Sequence, residues 1–196
     1  MSGQRSPSVT WHLAPTSRER RWAALGLRGA TVWFTGLPSS GKSTIAAALE
    51  ERLLAEGRAA YLLDGDNLRH GLNGDLGFSA EDRAENVRRA AHVAHLFADA
   101  GVVALVAFIS PYLAGRRQAR ELHERDGLPF LEVYLNTPVE ECARRDPKGL
   151  WQKARAGELH EFTGVDDPYE PPPAAELELT SEQPLEAAVE AVHRLL

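Results

Sequence analysis

The chain has 196 residues, 43% of them hydrophobic and 26% charged, with a formal net charge of −6. That length suits one domain with a real core, and the acidic balance argues against broad non-specific binding to nucleic acid. No apolar run is long enough to span a membrane, no signal-peptide pattern is seen, and the single cysteine, Cys142, excludes an intrachain disulfide and a cysteine-based zinc site; a cytoplasmic location is expected.

Met1 to about Thr10 mixes Ser, Pro, Gly and Arg without a period and reads as a flexible tail. Arg18 to Leu25 reads as a short helix opened by Thr16 or Ser17, with Trp11 and Trp22 expected to pack on the body or on a second subunit. The predicted division is residues 1–28 as tail and short helix, and 29–196 as the main domain.

Thr31-Val32-Trp33-Phe34-Thr35 is rich in β-branched and aromatic residues and predicts a buried strand. Gly36-Leu37-Pro38-Ser39-Ser40-Gly41-Lys42-Ser43 follows and fits the phosphate-binding pattern G-x-x-x-x-G-K-[ST]. Gly36 and Gly41 let the backbone approach a polyphosphate without a Cβ in the way. Loop N–H groups and the N-terminus of the next helix supply fixed positive potential. Lys42 is placed to reach the β- and γ-phosphates, and Ser43 to bind Mg²⁺. Ser43 to Leu54 predicts that helix, with Gly57 as its stop.

Ala59 to Leu63 predicts a second strand, ending in Asp64-Gly65-Asp66. Two carboxylates at a strand's carboxyl end suit a Mg²⁺ site or a base for a substrate hydroxyl; a D-G turn with Asp64 as a helix cap fits equally well. Asn67 to Gly77 reads as a loop with a helical turn and carries Arg69, His70 and Asn73. Ser79 predicts the N-cap of a helix running to Asp99 and stopped by Gly101. On it, Arg83, Asn86 and Arg89 share a face that suits either an anion clamp or plain solvated charge. His92 and His95 are read as a solvated surface pair.

Val102 to Ile109 is almost wholly apolar, as in a central parallel strand covered on both faces, and Ser110-Pro111 ends it. A helix over about Leu113 to Arg125 and a strand over Phe130 to Leu135 follow. Thr137-Pro138-Val139-Glu140 predicts a capping box with Pro at the first helical position. Asp146 to Glu170 mixes basic residues and glycines with sparse apolar ones and reads as a lid, about 146–170, or as a solvated excursion. Leu177 and Leu179 suggest a fifth strand, and Pro184 to Leu196 a closing helix. The alternation predicts an α/β three-layer domain with a five-stranded parallel sheet.

Several blocks together resemble the adenylyl-sulfate kinase (APS kinase) family of the P-loop kinase superfamily. They are Leu63 to Asn73, Asp75 to Ser79, Asp82 to Arg89, Leu96 to Gly101, Phe108 to Tyr112, Arg145 to Leu150, Lys153 to Glu158 and Phe162 to Gly164. The resemblance runs from Trp11 to the C-terminus. It implies phosphorylation of the 3′-hydroxyl of adenosine 5′-phosphosulfate (APS) by ATP, giving PAPS and ADP, with Mg²⁺ as cofactor. It implies ATP contacts from Gly36, Leu37, Pro38, Ser39, Ser40, Gly41, Lys42, Ser43, Thr44 and Arg144. It implies APS contacts from Asp66, Asn67, Leu68, Arg69, Arg83, Asn86, Ile109, Ser110 and Lys148, with Phe78 and Phe162 stacking on the adenine. Lys42 and Asp66 are the implied catalytic groups, and Asp64 holds Mg²⁺ through water beside Ser43. Ser110 matches the family's phosphoserine position, but in-line transfer needs mainly positioning, so direct transfer with Ser110 as a binding residue is expected. The family pattern also implies a homodimer and a functional link to ATP sulfurylase. Leu113 and Gly115 depart from it, which argues against an ion pair at those two positions; Arg116 is retained.

Overall fold

In the computed structural model, which describes residues 9–10, 12 and 14–196, the strand before the phosphate loop is the centre of the sheet. β1 (Ala30–Gly36) is buried along its whole length. Its period-two alternation serves two layers: Val32 and Phe34 enter one core, Trp33 the other. β2 (Ala60–Asp64), β3 (Val103–Ala107), β4 (Phe130–Asn136) and β5 (Leu177–Thr180) complete an all-parallel sheet in the order β2-β3-β1-β4-β5. β3 lies between β2 and β1, which is why its sequence is unbroken by polar residues. Most of the predicted tail, together with Trp11, falls outside the described residues.

α2 (Lys42–Ala55) and α8 (Leu185–His193) cover one face of the sheet. Ala46, Leu49 and Leu53 form the buried stripe of α2 and meet Ala188, Val189 and Val192 of α8. α4 (Ala80–Ala100) and α5 (Leu113–Arg125) lie on the other side. The Ser79 side chain accepts from Asp82 N, and Gly101 caps the far end of α4 at φ 102°. The buried stripe of α4 runs Val87, Ala90, Ala91, Ala94 and Ala98, and continues at its N-terminal end as Arg83 and Asn86. The face that packs on the sheet therefore turns polar where it reaches the carboxyl ends of the strands.

α1 (Arg18–Leu25) is capped by Ser17 and docks on the end of α4. Arg18 and Arg21 pair with Asp99, and Trp22 Nε1 donates to the Asp99 carbonyl at 3.0 Å. Gly29, just before β1, runs against the same helix end: a Cβ there would lie 1.9 Å from the Ala98 carbonyl oxygen. Because that obstacle is backbone, Gly29→Ala is expected to destabilise by about 2 kcal/mol and lower Tm by roughly 5 °C. A calorimetric scan checks this; an unchanged Tm would mean that the chain parts there without strain.

Two local expectations are corrected. The capping box at Thr137 does not form, because Thr137 Oγ1 donates instead to Ser40 O at 3.2 Å and Pro138 becomes the cap of α6 (Val139–Arg145). The segment 146–170 is not a bare solvated excursion. Its helix α7 (Leu150–Arg155) carries Trp151, which is 1% exposed, packs edge-on to Phe162 at 5.1 Å and clusters with Leu37 of the phosphate loop.

Candidate active site

The site lies along the carboxyl edge of the sheet, where the chain leaves β1, β2 and β3. After β1 the backbone passes through positive φ at Gly36, Ser39 and Gly41 before entering α2. Gly36 is constrained further, since a Cβ there would meet Leu135 O at 2.8 Å. Lys42 folds back over this loop, its Nζ donating to Gly36 O at 3.0 Å, Leu37 O at 2.7 Å and Ser40 Oγ at 3.2 Å. Burial pushes its ammonium down to about 8. An anion entering the loop would take over those three acceptors' role and restore the charge.

Both readings of Asp64-Gly65-Asp66 hold, on different oxygens. Asp64 Oδ1 caps α3 (Gly65–Arg69), accepting from Asp66 N at 2.9 Å and Asn67 N at 3.3 Å. Its Oδ2 accepts from Ser43 Oγ at 2.6 Å. Asp66 is free of the cap; its side chain is 66% exposed and forms an ion pair with Lys148 of the 146–170 segment. A hydroxyl and a carboxylate in contact beside a phosphate loop are hard oxygen donors of the kind Mg²⁺ takes, usually through retained waters.

A second group of basic side chains lies on the same edge, near Asp66. Arg69, at the end of α3, donates to Leu76 O and Gly77 O, and its guanidinium lies 4.4 Å from the centre of the Phe78 ring. Phe78 remains 57% exposed, with the ring presented to solvent. Arg83 donates from Nε to Phe78 O at 2.8 Å and from Nη2 to Glu161 O, the residue before Phe162. One buried guanidinium thus ties together the two segments that carry the phenyl rings. Asn86 lies one turn along α4, also buried. Arg89 is not part of this group: Asp75, Glu85 and Leu72 O engage it. Of the predicted three-residue face, the structure brings two members to the cleft and commits the third to the surface.

Ile109 and Ser110 follow β3. Thr35 Oγ1 donates to Ile109 O at 2.8 Å. Ser110, at φ 41° and 3% exposed, donates from Oγ to Thr35 Oγ1 at 2.9 Å and accepts from Trp33 Nε1 at 3.1 Å. Arg116, 2% exposed, holds this turn from below: it pairs with Glu132 at 2.7 Å and donates to the carbonyls of Ser110 and Glu170. Gly115 makes no pair but lets α5 approach Val87 of α4.

Asn67 and Leu68 sit on α3, Leu68 against the core, and Thr44 is exposed in the first turn of α2. Arg144 stands apart from the loop, with a side chain 75% exposed and paired with Glu141. Its neighbour Arg145 is the arginine that reaches the loop, donating to Ser40 O at 3.3 Å. Arg145 also lines a pocket of about 180 Å³ with Gly41, Thr44, Thr137, Thr180 and Gln183. Thr137, Thr180 and Gln183 follow or end strands distant in sequence from the phosphate loop, so spacing alone gave no sign of them.

A family model described as adenylylsulphate kinase matches residues 28–180. The chain belongs to the adenylylsulphate kinase family. An adenylyl-sulfate kinase of Klebsiella pneumoniae is 53% identical over 193 residues, covering 98% of this chain and 94% of that one. A bifunctional enzyme CysN/CysC of Mycobacterium tuberculosis is 54% identical over 169 residues, which are 86% of this chain and 28% of that longer protein. Among solved structures, the M. tuberculosis APS kinase CysC in complex with AMPPNP and APS superposes with a TM-score of 0.84 at 54% identity, covering 86% of this chain and 98% of that chain. The parallel sheet with helices on both faces is the P-loop kinase fold of these adenylyl-sulfate kinases. Among the described residues no helix is long and apolar enough to cross a membrane.

Proposed function

We propose that this chain transfers the γ-phosphoryl group of ATP to the 3′-hydroxyl of APS, giving PAPS and ADP. The observation that carries the reading is the pairing of two anion-binding halves on one sheet edge: a phosphate loop with Lys42, and an arginine pair, Arg69 and Arg83, bound to the Phe78 segment. The first suits a nucleotide triphosphate; the second suits a phosphosulfate attached to a planar base. Membership of the family, and the likeness to a kinase holding AMPPNP and APS, support the same assignment.

In this reading the amides of residues 36–44, apart from Pro38, which has no N–H, hold the β- and γ-phosphates, and Lys42 leaves its loop partners to meet the transferring group. Arg145, rather than Arg144, neutralises the nucleotide beside Ser40, and the pocket it lines receives the adenine of ATP. Phe78 and Phe162 clasp the adenine of APS; Arg69, Arg83 and Asn86 bind its phosphosulfate and ribose with Asn67, Leu68 and Ile109. Asp66 receives the proton of the 3′-hydroxyl, and Lys148 leaves Asp66 as that hydroxyl arrives. Ser43, with Asp64 through water, would hold Mg²⁺, which would supply charge neutralisation of the polyphosphate. A homodimer working in the cytoplasm with a separate ATP sulfurylase completes the proposal; the bifunctional relative points to such a link.

The deciding assay couples ADP release to MgATP with APS, AMP, adenosine or shikimate as acceptor. Turnover with APS alone is expected; efficient use of another acceptor in its place would overturn the reading. Ser110 is placed here as a binding and positioning residue. Its Oγ is buried between Trp33 and Thr35, and among the described residues no carboxylate or imidazole contacts it to take its proton. Ser110→Ala is therefore expected to retain at least about a tenth of kcat, since the two hydrogen bonds it removes, with Thr35 and Trp33, are worth about 1 kcal/mol each to the fold and neither is made to the reacting atoms. Abolished turnover in a folded variant that still binds both nucleotides would restore the phosphoserine route.

A further inference from the structure

Asn73 lies in the loop between α3 and α4 and is completely buried, although nothing apolar recommends an asparagine there. Its backbone is anchored, N to Leu68 O at 2.8 Å and O from Leu76 N at 3.2 Å. Its side-chain Nδ2 donates to Asn86 Oδ1 at 2.8 Å. Its own Oδ1 has no partner and is sealed from solvent. An orphaned buried acceptor is unfavourable and uncommon, so a site that keeps one uses the other end of the amide.

That other end sets the direction of Asn86. With Oδ1 engaged by Asn73, the Asn86 amide can only present its Nδ2 hydrogens outward. Nδ2 is not among the sealed orphan atoms and has no hydrogen-bond acceptor among the described residues, so its donors are left for a ligand on the α4 face that also carries Arg83. The opposite arrangement, with Asn86 donating to Asn73, would bury an unpaired NH₂ of two donors in place of one acceptor, and would turn a carbonyl oxygen toward an anionic ligand. Both consequences are unfavourable.

We infer that Asn73 is a positioning residue that fixes the Asn86 amide with its donor end toward the acceptor nucleotide. Asn73 does not touch that nucleotide; it acts through Asn86. The inference rests on the proposed placement of APS against Asn86. It also predicts selectivity in the kinetics: binding of the acceptor nucleotide responds to Asn73, and binding of ATP does not.

A double-mutant cycle tests it. APS affinity, the KM for ATP and kcat are measured for the wild type, Asn73→Ala, Asn86→Ala and the double variant. Asn73→Ala is expected to weaken APS binding about 5- to 10-fold and leave the KM for ATP within about twofold. In the Asn86→Ala background the same substitution should change APS binding less than about twofold, because nothing remains for Asn73 to orient. An equal factor in both backgrounds, or a parallel loss of ATP binding, would show a merely structural residue and overturn the inference. If Asn73→Ala fails to fold, Asn73→Ser carries the same cycle, since its hydroxyl is too short to reach Asn86. Asn73→Asp replaces the donor by an acceptor, inverts the Asn86 amide and should weaken APS binding more than alanine does. Should the wild type use another nucleotide acceptor, the proposed function falls, while the cycle run on that acceptor still decides the role of Asn73.

Discussion

Lys42→Ala is expected to lower kcat about 10³-fold, near 4 kcal/mol of transition-state stabilisation, while leaving the fold intact or slightly more stable. In the free protein Lys42 Nζ rests on Gly36 O, Leu37 O and Ser40 Oγ, and burial disfavours its charge. Those three acceptors and the nearby Asp64 and Asp66 favour the charge, but burial outweighs them, so the resting state gains little from the ammonium. In the proposed reaction its partner is the charge on the transferring phosphoryl group. Steady-state turnover with saturating ATP and APS, beside a thermal scan, separates the two states. A variant that kept a tenth of kcat would place the main phosphate charge partner elsewhere in the cleft. The lowered value also gives a pH signature. Free Lys42 titrates at about 8, and a polyphosphate beside it raises that value. Between the free and bound values the free lysine is mostly neutral and the bound one charged, so ATP binding there takes up a proton. Affinity for ATP should fall as pH rises through about 8. Calorimetry in buffers of different ionisation enthalpy reads the uptake, and Lys42→Ala should abolish it.

What the sequence disclosed, and what it withheld, follows from the range of the interactions. The unbroken apolar run of β3, the Ser79 cap of α4 and the glycine stop at Gly101 are local patterns, and each appears in the structure within a residue or two. The phosphate loop is local too, since its chemistry resides in consecutive backbone amides. Choices among competing partners are not local. Thr137 has the spacing of a capping residue but finds the Ser40 carbonyl nearer. Arg144 and Arg145 are indistinguishable in sequence and both pair with Glu141, but the 100° between neighbours on a helix leaves Arg144 75% exposed and brings Arg145 to the phosphate loop as well. Arg89 satisfies the same i,i+3 rule as Arg83 and Asn86, but Asp75 and Glu85 engage it outside the cleft. The pairing of Arg116 with Glu132, and its grip on Ser110 O and Glu170 O, joins three elements that no periodicity links. Family resemblance named most of the residues at the cleft. Only the geometry separates those that face it from those, such as Asn73, that stand behind.

The two carboxylates after β2 differ in what they can do, and a pair of isosteric substitutions should separate them. Asp64 is occupied on both oxygens, one by the N-terminus of α3 and one by Ser43. Among the described residues the Asp66 carboxylate meets only Lys148, whose side chain is 60% exposed and free to be displaced. Asp66 is therefore the carboxylate with room to receive a proton from an incoming hydroxyl. Asp66→Asn keeps the shape and one acceptor oxygen but removes the basicity; kcat is expected to fall about 10²- to 10³-fold with the KM for ATP little changed. Asp64→Asn should act differently, raising the Mg²⁺ concentration needed for half-maximal turnover, with kcat recovering as Mg²⁺ is raised. Turnover of both variants across a Mg²⁺ titration distinguishes the roles, because added metal cannot replace a missing proton acceptor. If Asp66→Asn recovered with Mg²⁺ as well, both carboxylates would belong to the metal site and the 3′-hydroxyl would lose its proton to the transferring phosphoryl group itself. If Asp66→Asn kept more than a tenth of kcat without added metal, orientation of the hydroxyl would be the whole of its contribution, which the retained amide oxygen can still provide.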